Sequence, residues 1–178
     1  MKILFPILAI ALITGCASSK FQYQEPAEAY KGKPLVLNEV IVDIDLTSAK
    51  QPAEYMTEEQ MEDLLKSEII RLTSEYDDIS FDATAVDGLK AVINVDYLRV
   101  FSYGDSIAKP KFSGKVDIMK KDTLLGSRSF EKSTTSMGGA IANAAVNAQV
   151  GVGKWDEKDE PRDIEAVGIT FVKIMKKF

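Results

Sequence analysis

The chain has 178 residues, 46% of them hydrophobic and 28% charged, with a formal net charge of −5 at neutral pH. It has no histidine and one cysteine, which excludes Ser-His-Asp and Cys-His catalysis and the ordinary zinc sites built from those residue types. An acidic balance of this size argues against a nucleic-acid partner.

Met1 and Lys2 precede an apolar run from Ile3 to Ile13, which ends in Thr14, Gly15 and Cys16 and gives way to the polar stretch Ala17, Ser18, Ser19 and Lys20. A positive start, a short apolar middle and a small-residue exit describe a secretory signal, since a membrane span needs about 20 apolar residues. The exit Ile13-Thr14-Gly15-Cys16 resembles the lipobox of bacterial lipoproteins. That resemblance implies cleavage before Cys16, with Ile13, Thr14 and Gly15 recognised by the signal peptidase. It also implies a diacylglycerol and an N-acyl chain on Cys16, with no other cofactor. One myristoyl chain binds membranes reversibly, and each buried methylene contributes about 0.8 kcal/mol, so two or three chains on one residue anchor a protein stably. Ala17 after the cysteine implies sorting to the outer membrane, facing the periplasm; in a Gram-positive cell the anchor would lie on the outer face of the plasma membrane.

Residues 1–15 are thus read as a signal peptide, 16–34 as a lipidated flexible tether and 35–178 as one globular domain. The tether reading rests on Pro26, Gly32 and Pro34 and on the scarcity of large apolar residues. From Leu35 to Asp45 the chain alternates, with Val40, Val42 and Ile44 on one face and Glu39, Asp43 and Asp45 on the other, which predicts a strand that Ile41 interrupts. Thr57-Glu58-Glu59-Gln60 fits a capping box, and Met61, Leu64, Leu65, Ile69, Leu72 and Tyr76 then recur at helical spacing. A short strand near Ile79 to Thr84 is followed by the turn Asp87-Gly88 and a longer strand from Lys90 to Tyr103, whose pattern weakens after Leu98. Alternation returns from Lys111, with Phe112, Val116 and Ile118 on one side, and Lys120-Lys121-Asp122 turns the chain into a partner strand through Leu124 and Phe130. From Pro161 the residues Ile164, Val167, Phe171, Ile174, Met175 and Phe178 share a helical face that ends in three lysines. The expected fold is α/β (α+β), a mixed, largely antiparallel sheet with helices packed on it, in the order β-α-β-β-β-β-α-α.

Carboxylates are the obvious acid or base groups, and 14 acids crowd Glu39 to Asp87 against Lys50, Lys66 and Arg71. A catalytic pair would need two of them converging in a pocket, whereas most fall on expected exposed faces. Asp77, Asp78 and Asp82 lack EF-hand spacing, and no metal site is expected. The hairpin from Lys109 to Lys132 carries seven basic and three acidic residues and offers either a solvated face or a surface for an anionic partner. Residues 133–153 carry no charge. Within them Ala140, Ala144 and Ala148 recur at steps of four beside Gly139, Asn143 and Asn147, either as a contact surface for another protein or as a small-residue face lying close on the domain's own sheet.

The order of elements after an acyl-cysteine and tether resembles periplasm-facing α/β lipoproteins such as the curli secretion lipoprotein CsgG, the peptidoglycan-synthase activator LpoB and the N-terminal domain of TolB. This resemblance implies a non-enzymatic binding, scaffolding or regulatory role at the envelope, with the membrane, another envelope protein or the chain itself as partner. The alternatives are a subunit of a homo-oligomeric export or assembly complex that uses 138–153 as its contact surface, and a carboxylate-dependent enzyme or apolar-ligand carrier.

Overall fold

The computed structural model describes residues 21–22, 33–48, 54–101, 106–134 and 140–178. The elements run β1 (Phe21–Gln22), β2 (Leu35–Ser48), α1 (Glu58–Thr73), β3 (Ile79–Phe81), β4 (Leu89–Arg99), β5 (Lys111–Lys120), β6 (Thr123–Thr134), α2 (Ala140–Gly151) and α3 (Glu160–Met175). They form one six-stranded sheet in the order β1-β6-β5-β4-β2-β3. β2 is parallel to both β3 and β4, while β4, β5, β6 and β1 pair antiparallel in succession. The mixed α/β fold with a central antiparallel meander is the one the sequence predicts. β1 adds to it, since two residues of the expected tether pair with Arg128 and Ser127 of β6.

Strict alternation drives the layering. Every second residue of β4 (Leu89, Ala91, Ile93, Val95, Tyr97, Arg99) is buried, and register places Val40, Ile44 and Leu46 of β2 and Phe112, Val116 and Ile118 of β5 on the same face. α1 and α3 pack side by side against that face, through Met61, Leu65 and Ile69 of α1 and Ile164, Val167 and Phe171 of α3. Each such side chain contributes about 1.5–3 kcal/mol by leaving water. The opposite face carries Asp43, Asn94, Lys115 and Ser129 in one cross-strand row and Asp45, Asp96 and Ser113 in the next. Ile41 lies on this outer face, 38% exposed, which accounts for its break in the pattern.

Two local devices keep the alternation in phase. The register slips between Leu37 and Glu39, so that Asn38 forms a bulge and both Leu37 and Val40 point inward. The chain then crosses β2 at this bulge on its way from β3 to β4, so closely that a Cβ on Gly88 would lie 2.5 Å from the Asn38 Cβ. Between sheet and helix, a Cβ on Gly114 would lie 2.6 Å from the Phe171 ring, so β5 has its glycine where α3 lays down its largest side chain.

α1 begins as expected: the Thr57 hydroxyl accepts from Gln60 N and the Gln60 side chain accepts from Thr57 N at 2.9 Å. β4 keeps its register to Arg99 and ends there, short of the expected Tyr103, so the pattern weakens after Leu98 because the strand is ending; residues 102–105 lie outside the described residues. In the β5–β6 turn Lys121 adopts a φ of 54°, the left-handed value that a tight hairpin imposes. Among the described residues no helix is long and apolar enough to cross a membrane.

Candidate functional site

Among the described residues the buried charged side chains gather at one end of the sheet, where β4 finishes and α3 begins. Arg99 continues the inward series of β4 and is 3% exposed; Glu160, the first residue of α3, is fully buried. Arg99 Nε donates to Glu160 Oε1 at 2.6 Å, and its second terminal nitrogen donates to the Met56 carbonyl at 2.7 Å. The other carboxylate oxygen, Glu160 Oε2, accepts from Met56 N at 2.9 Å. Ion pair and backbone thus form a closed ring joining β4, the lead-in to α1 and α3. The Tyr55 ring lies 5.2 Å from the Arg99 guanidinium carbon and adds a cation–π contact.

One turn further along α3, Asp163 is also fully buried and accepts from Trp155 Nε1 at 2.9 Å. Acidic side chains in the first helical turn are favoured there by the exposed N–H groups and the helix dipole. Trp155, itself fully buried, holds a second small apolar cluster with Tyr55, Ile107 and Val146, against which Phe101 and Val150 pack. Arg162 covers the outer side of the Trp155 ring at 5.1 Å.

Burial and the nearby carboxylates act together on two phenols. Burial, reinforced by Glu157, Glu160 and Asp156, pushes the Tyr55 phenol up to about 12. Tyr97, whose buried hydroxyl finds no hydrogen-bond partner among the described residues, is raised well above the ordinary phenol value, by burial first and by Asp163 and Glu160 next. The site stabilises cations and neutral phenols and disfavours any further negative charge.

The residues singled out in the sequence lie elsewhere. Ile13, Thr14, Gly15, Cys16 and Gly139 are outside the described residues, and Ala140 and Asn143 lie in α2. Ala144, Asn147 and Ala148 are exposed, while Val146 and Val150 of the same helix turn toward Trp155. Ala144, Asn147 and Ala148 therefore do not lie on the domain's own sheet; the larger valines take the inner side because their burial removes more apolar surface from water. The basic hairpin does not form one charged face. Lys111 and Lys115 lie on the open face, Lys115 is paired with Asp117 at 2.7 Å, and Arg128 stands opposite Val116 on the helix side.

Two of the clustered acids have a structural role that periodicity does not reveal. Glu62 Oε1 accepts from Ile44 N and Glu58 Oε1 from Leu46 N, both at 3.0 Å, so α1 caps backbone donors along the free edge of β2. Asp78 pairs with Lys176, and Arg71 gathers Glu68, Glu75 and Glu165. Asp77 and Asp78 border a cavity of about 350 Å³ near the C-terminus, and Asp96 borders one of about 170 Å³ on the open face, where it accepts from Ser113 Oγ at 2.8 Å. All three aspartates are exposed, so neither cavity contains the desolvated pair of carboxylates that acid–base catalysis at a dry centre uses. Among the described residues no three potential ligands converge on a metal position.

Sequence reasoning passed over Arg99, Glu160, Asp163 and Trp155. The available signal was parity: Arg99 falls on the inward side of a strand, and Glu160 and Asp163 precede Ile164 and Val167 on the inward stripe of α3.

Replacing Glu160 with Gln leaves the Arg99 charge buried without a counter-charge and is expected to destabilise the domain by about 3–5 kcal/mol. Chemical denaturation measures this, and the double variant Arg99→Met with Glu160→Met is expected to recover a large part of the loss. The phenols give a separate pH signature. Because the folded domain holds the Tyr55 and Tyr97 protons more tightly than the unfolded chain, their contribution is complete below pH 10 and declines as pH rises toward 12 and beyond. Ultraviolet titration should show these two tyrosines ionising above the ordinary phenol range, with stability falling as pH rises above 10.

No family model matches the chain, and no curated protein matches it. Among solved structures it is similar to a DUF330 protein from Xanthomonas campestris, at 13% identity over 82% of this chain and 92% of that one, with a TM-score of 0.34. It is similar to the PelC dodecamer from Paraburkholderia phytofirmans at 9% identity, covering 78% of this chain and 98% of that one, with a TM-score of 0.34. A hypothetical protein from Chlamydia trachomatis shares 14% identity over 79% of this chain and 98% of that one, with a TM-score of 0.33. None of these likenesses assigns a residue or a role to this chain.

Proposed function

We propose that the chain is an envelope lipoprotein, anchored in the outer membrane by acyl chains on Cys16, whose periplasm-facing domain binds, scaffolds or regulates other envelope proteins without catalysis of its own. The observation that carries the anchor is the run Ile13-Thr14-Gly15-Cys16 behind a short apolar segment and Lys2. Small residues give the processing enzymes access to the backbone, and the sole thiol is the nucleophile that becomes a thioether. The polar site at the end of the sheet is built to hold elements together. Its buried ionisable groups, Arg99, Glu160 and Asp163, are engaged with one another and with backbone and indole donors or acceptors. They hold the end of the domain together.

Intact-mass measurement of the protein extracted from its native membrane tests the anchor. The expected species begins at Cys16 and carries two or three acyl chains, and Cys16→Ala is expected to retain the leader and lose the lipid mass. A wild-type species that retains residues 1–15, or one without acyl mass, overturns the assignment.

The outward direction of Ala144, Asn147 and Ala148 on α2 favours a second reading, a subunit of a homo-oligomeric export or assembly complex. Under that reading the mature domain sediments as a multimer and Ala144→Leu dissociates it while leaving its circular dichroism unchanged. A wild-type domain that stays monomeric at high concentration excludes it.

A further inference from the structure

The domain has two apolar clusters among its described residues, and α2 rests on the smaller one. The seat beneath it consists of Tyr55, Phe101, Ile107 and Trp155, each of which lies in a connection between elements. Those connections are fastened to the main layers without help from α2. Trp155 Nε1 donates to Asp163 of α3 at 2.9 Å, and the Trp155 carbonyl accepts from Ile107 N at 2.9 Å. Ile107 bridges Phe101, whose ring meets that of Tyr55 edge-on at 5.3 Å, and Tyr55 in turn lies against Arg99. Among the described side chains of α2, only Val146, 3% exposed, and the half-buried Val150 reach this seat. Ala144, Ala145, Asn147, Ala148 and Gln149 are exposed, and the helix has neither an acid in its first turn nor a base in its last. A helix of 12 residues is marginal by itself in water, so α2 persists by resting on the seat.

We propose that α2 is a displaceable cover, which leaves the seat and returns to it as a unit while the sheet, α1 and α3 stay folded. Two valines are little apolar surface to lose beside the main core, where α1 and α3 each bury a full stripe. The pivot lies at the C-terminal end of the helix, where Gly151 and Gly153 stand between Val150 and Trp155. A Cβ on Gly151 would meet open space, and Gly153 takes the left-handed φ of 68° that closes the helix through Lys154 N to Gln149 O at 2.9 Å. When α2 moves away, the bonds of Trp155 to Asp163 and Ile107 remain, so the aromatic surface is uncovered already in shape. This end of the domain thereby has two surfaces, an uncharged helix side when closed and an aromatic one when open. A partner that prefers either one shifts the balance. The inference goes beyond the envelope role and needs neither the acyl chains nor self-association.

Hydrogen exchange of the full chain, read by mass spectrometry at rising low concentrations of urea, tests the cover. Amides of residues 144–151 are expected to exchange about a hundred-fold faster than those of β4, with little dependence on urea, because the opening exposes little surface. Trp155 is the sole tryptophan, so acrylamide quenching of its fluorescence reports on the seat alone. Ala145→Gly combined with Ala148→Gly, both at exposed positions, is expected to speed exchange in α2 about twenty-fold through lower helix propensity and to raise Trp155 quenching, with β4 protection unchanged. Val146→Ala should act in the same direction through lost packing. Exchange of α2 in step with β4, or variants that lower β4 protection by the same factor as that of α2, shows that the helix unfolds only with the whole domain and overturns the proposal. Faster exchange in α2 without a rise in Trp155 quenching also overturns it, since the helix then frays without uncovering the seat.

Discussion

The end of the domain is organised by a single buried ion pair. Arg99 occupies the position in β4 where alternation demands an inward side chain, and a guanidinium there must be neutralised in place. Withdrawing two charges from water costs several kcal/mol per ion, which their attraction offsets only when the remaining hydrogen-bonding capacity is met. Here it is met by backbone: the Met56 carbonyl accepts from the arginine and the Met56 N–H donates to the glutamate. The ring of contacts joins residues 43, 61 and 104 positions apart in the chain. The start of α3, the entry to α1 and the end of β4 therefore hold their positions together, and the Trp155 cluster that seats α2 is built on the same helix turn.

The sheet's two edges are managed by different means. β2 lends one side to β4 and only three residues of its other side to β3, which leaves donors that another strand could use. Glu58 and Glu62 occupy two of them with charge-assisted bonds. Part of the acidic crowding between Glu39 and Asp87 is thus explained by the geometry of a helix that lies beside a strand edge. At the far edge, β6 takes up β1, and the chain's own N-terminal segment becomes the covering strand for Arg128 and Ser127.

The strands and helices were legible because each has an apolar period that matches its geometry, and the capping box at Thr57 located the start of α1. Parity also identified Ile41 as the exception that faces the open side. The partners of these elements were not legible. Alternation in β2 and β4 says which side is inward but not that the two strands lie side by side in parallel with β3 beyond them. Arg99 carries an inward parity, yet its counter-charge lies at Glu160, with two strands and a helix between them in sequence. Glu58 and Glu62 look solvated on a helical wheel, since nothing in the period tells that a strand edge runs alongside. In α2 the spacing of alanines and the spacing of valines both fit a helix face, and the choice between them belongs to the surface beneath, where Trp155 and Ile107 offer an apolar seat. β1 is two residues long and has no pattern to read.

The open face of the sheet places few demands on a partner. Its rows alternate charge and hydrogen-bonding groups, with Lys90 paired to Glu39 at 2.9 Å and Lys115 to Asp117, and antiparallel sheets commonly keep one face in water on these terms. Val36 and Ile41 are exposed there as separate residues, which needs no explanation by an interface. Among the described residues the longest uncharged stretch is α2 and the turn after it, at the same end as the ion pair. Val146 and Val150 seat that helix on the Trp155 cluster, and Trp155 is in turn held by Asp163, so the same turn of α3 that neutralises Arg99 also positions α2.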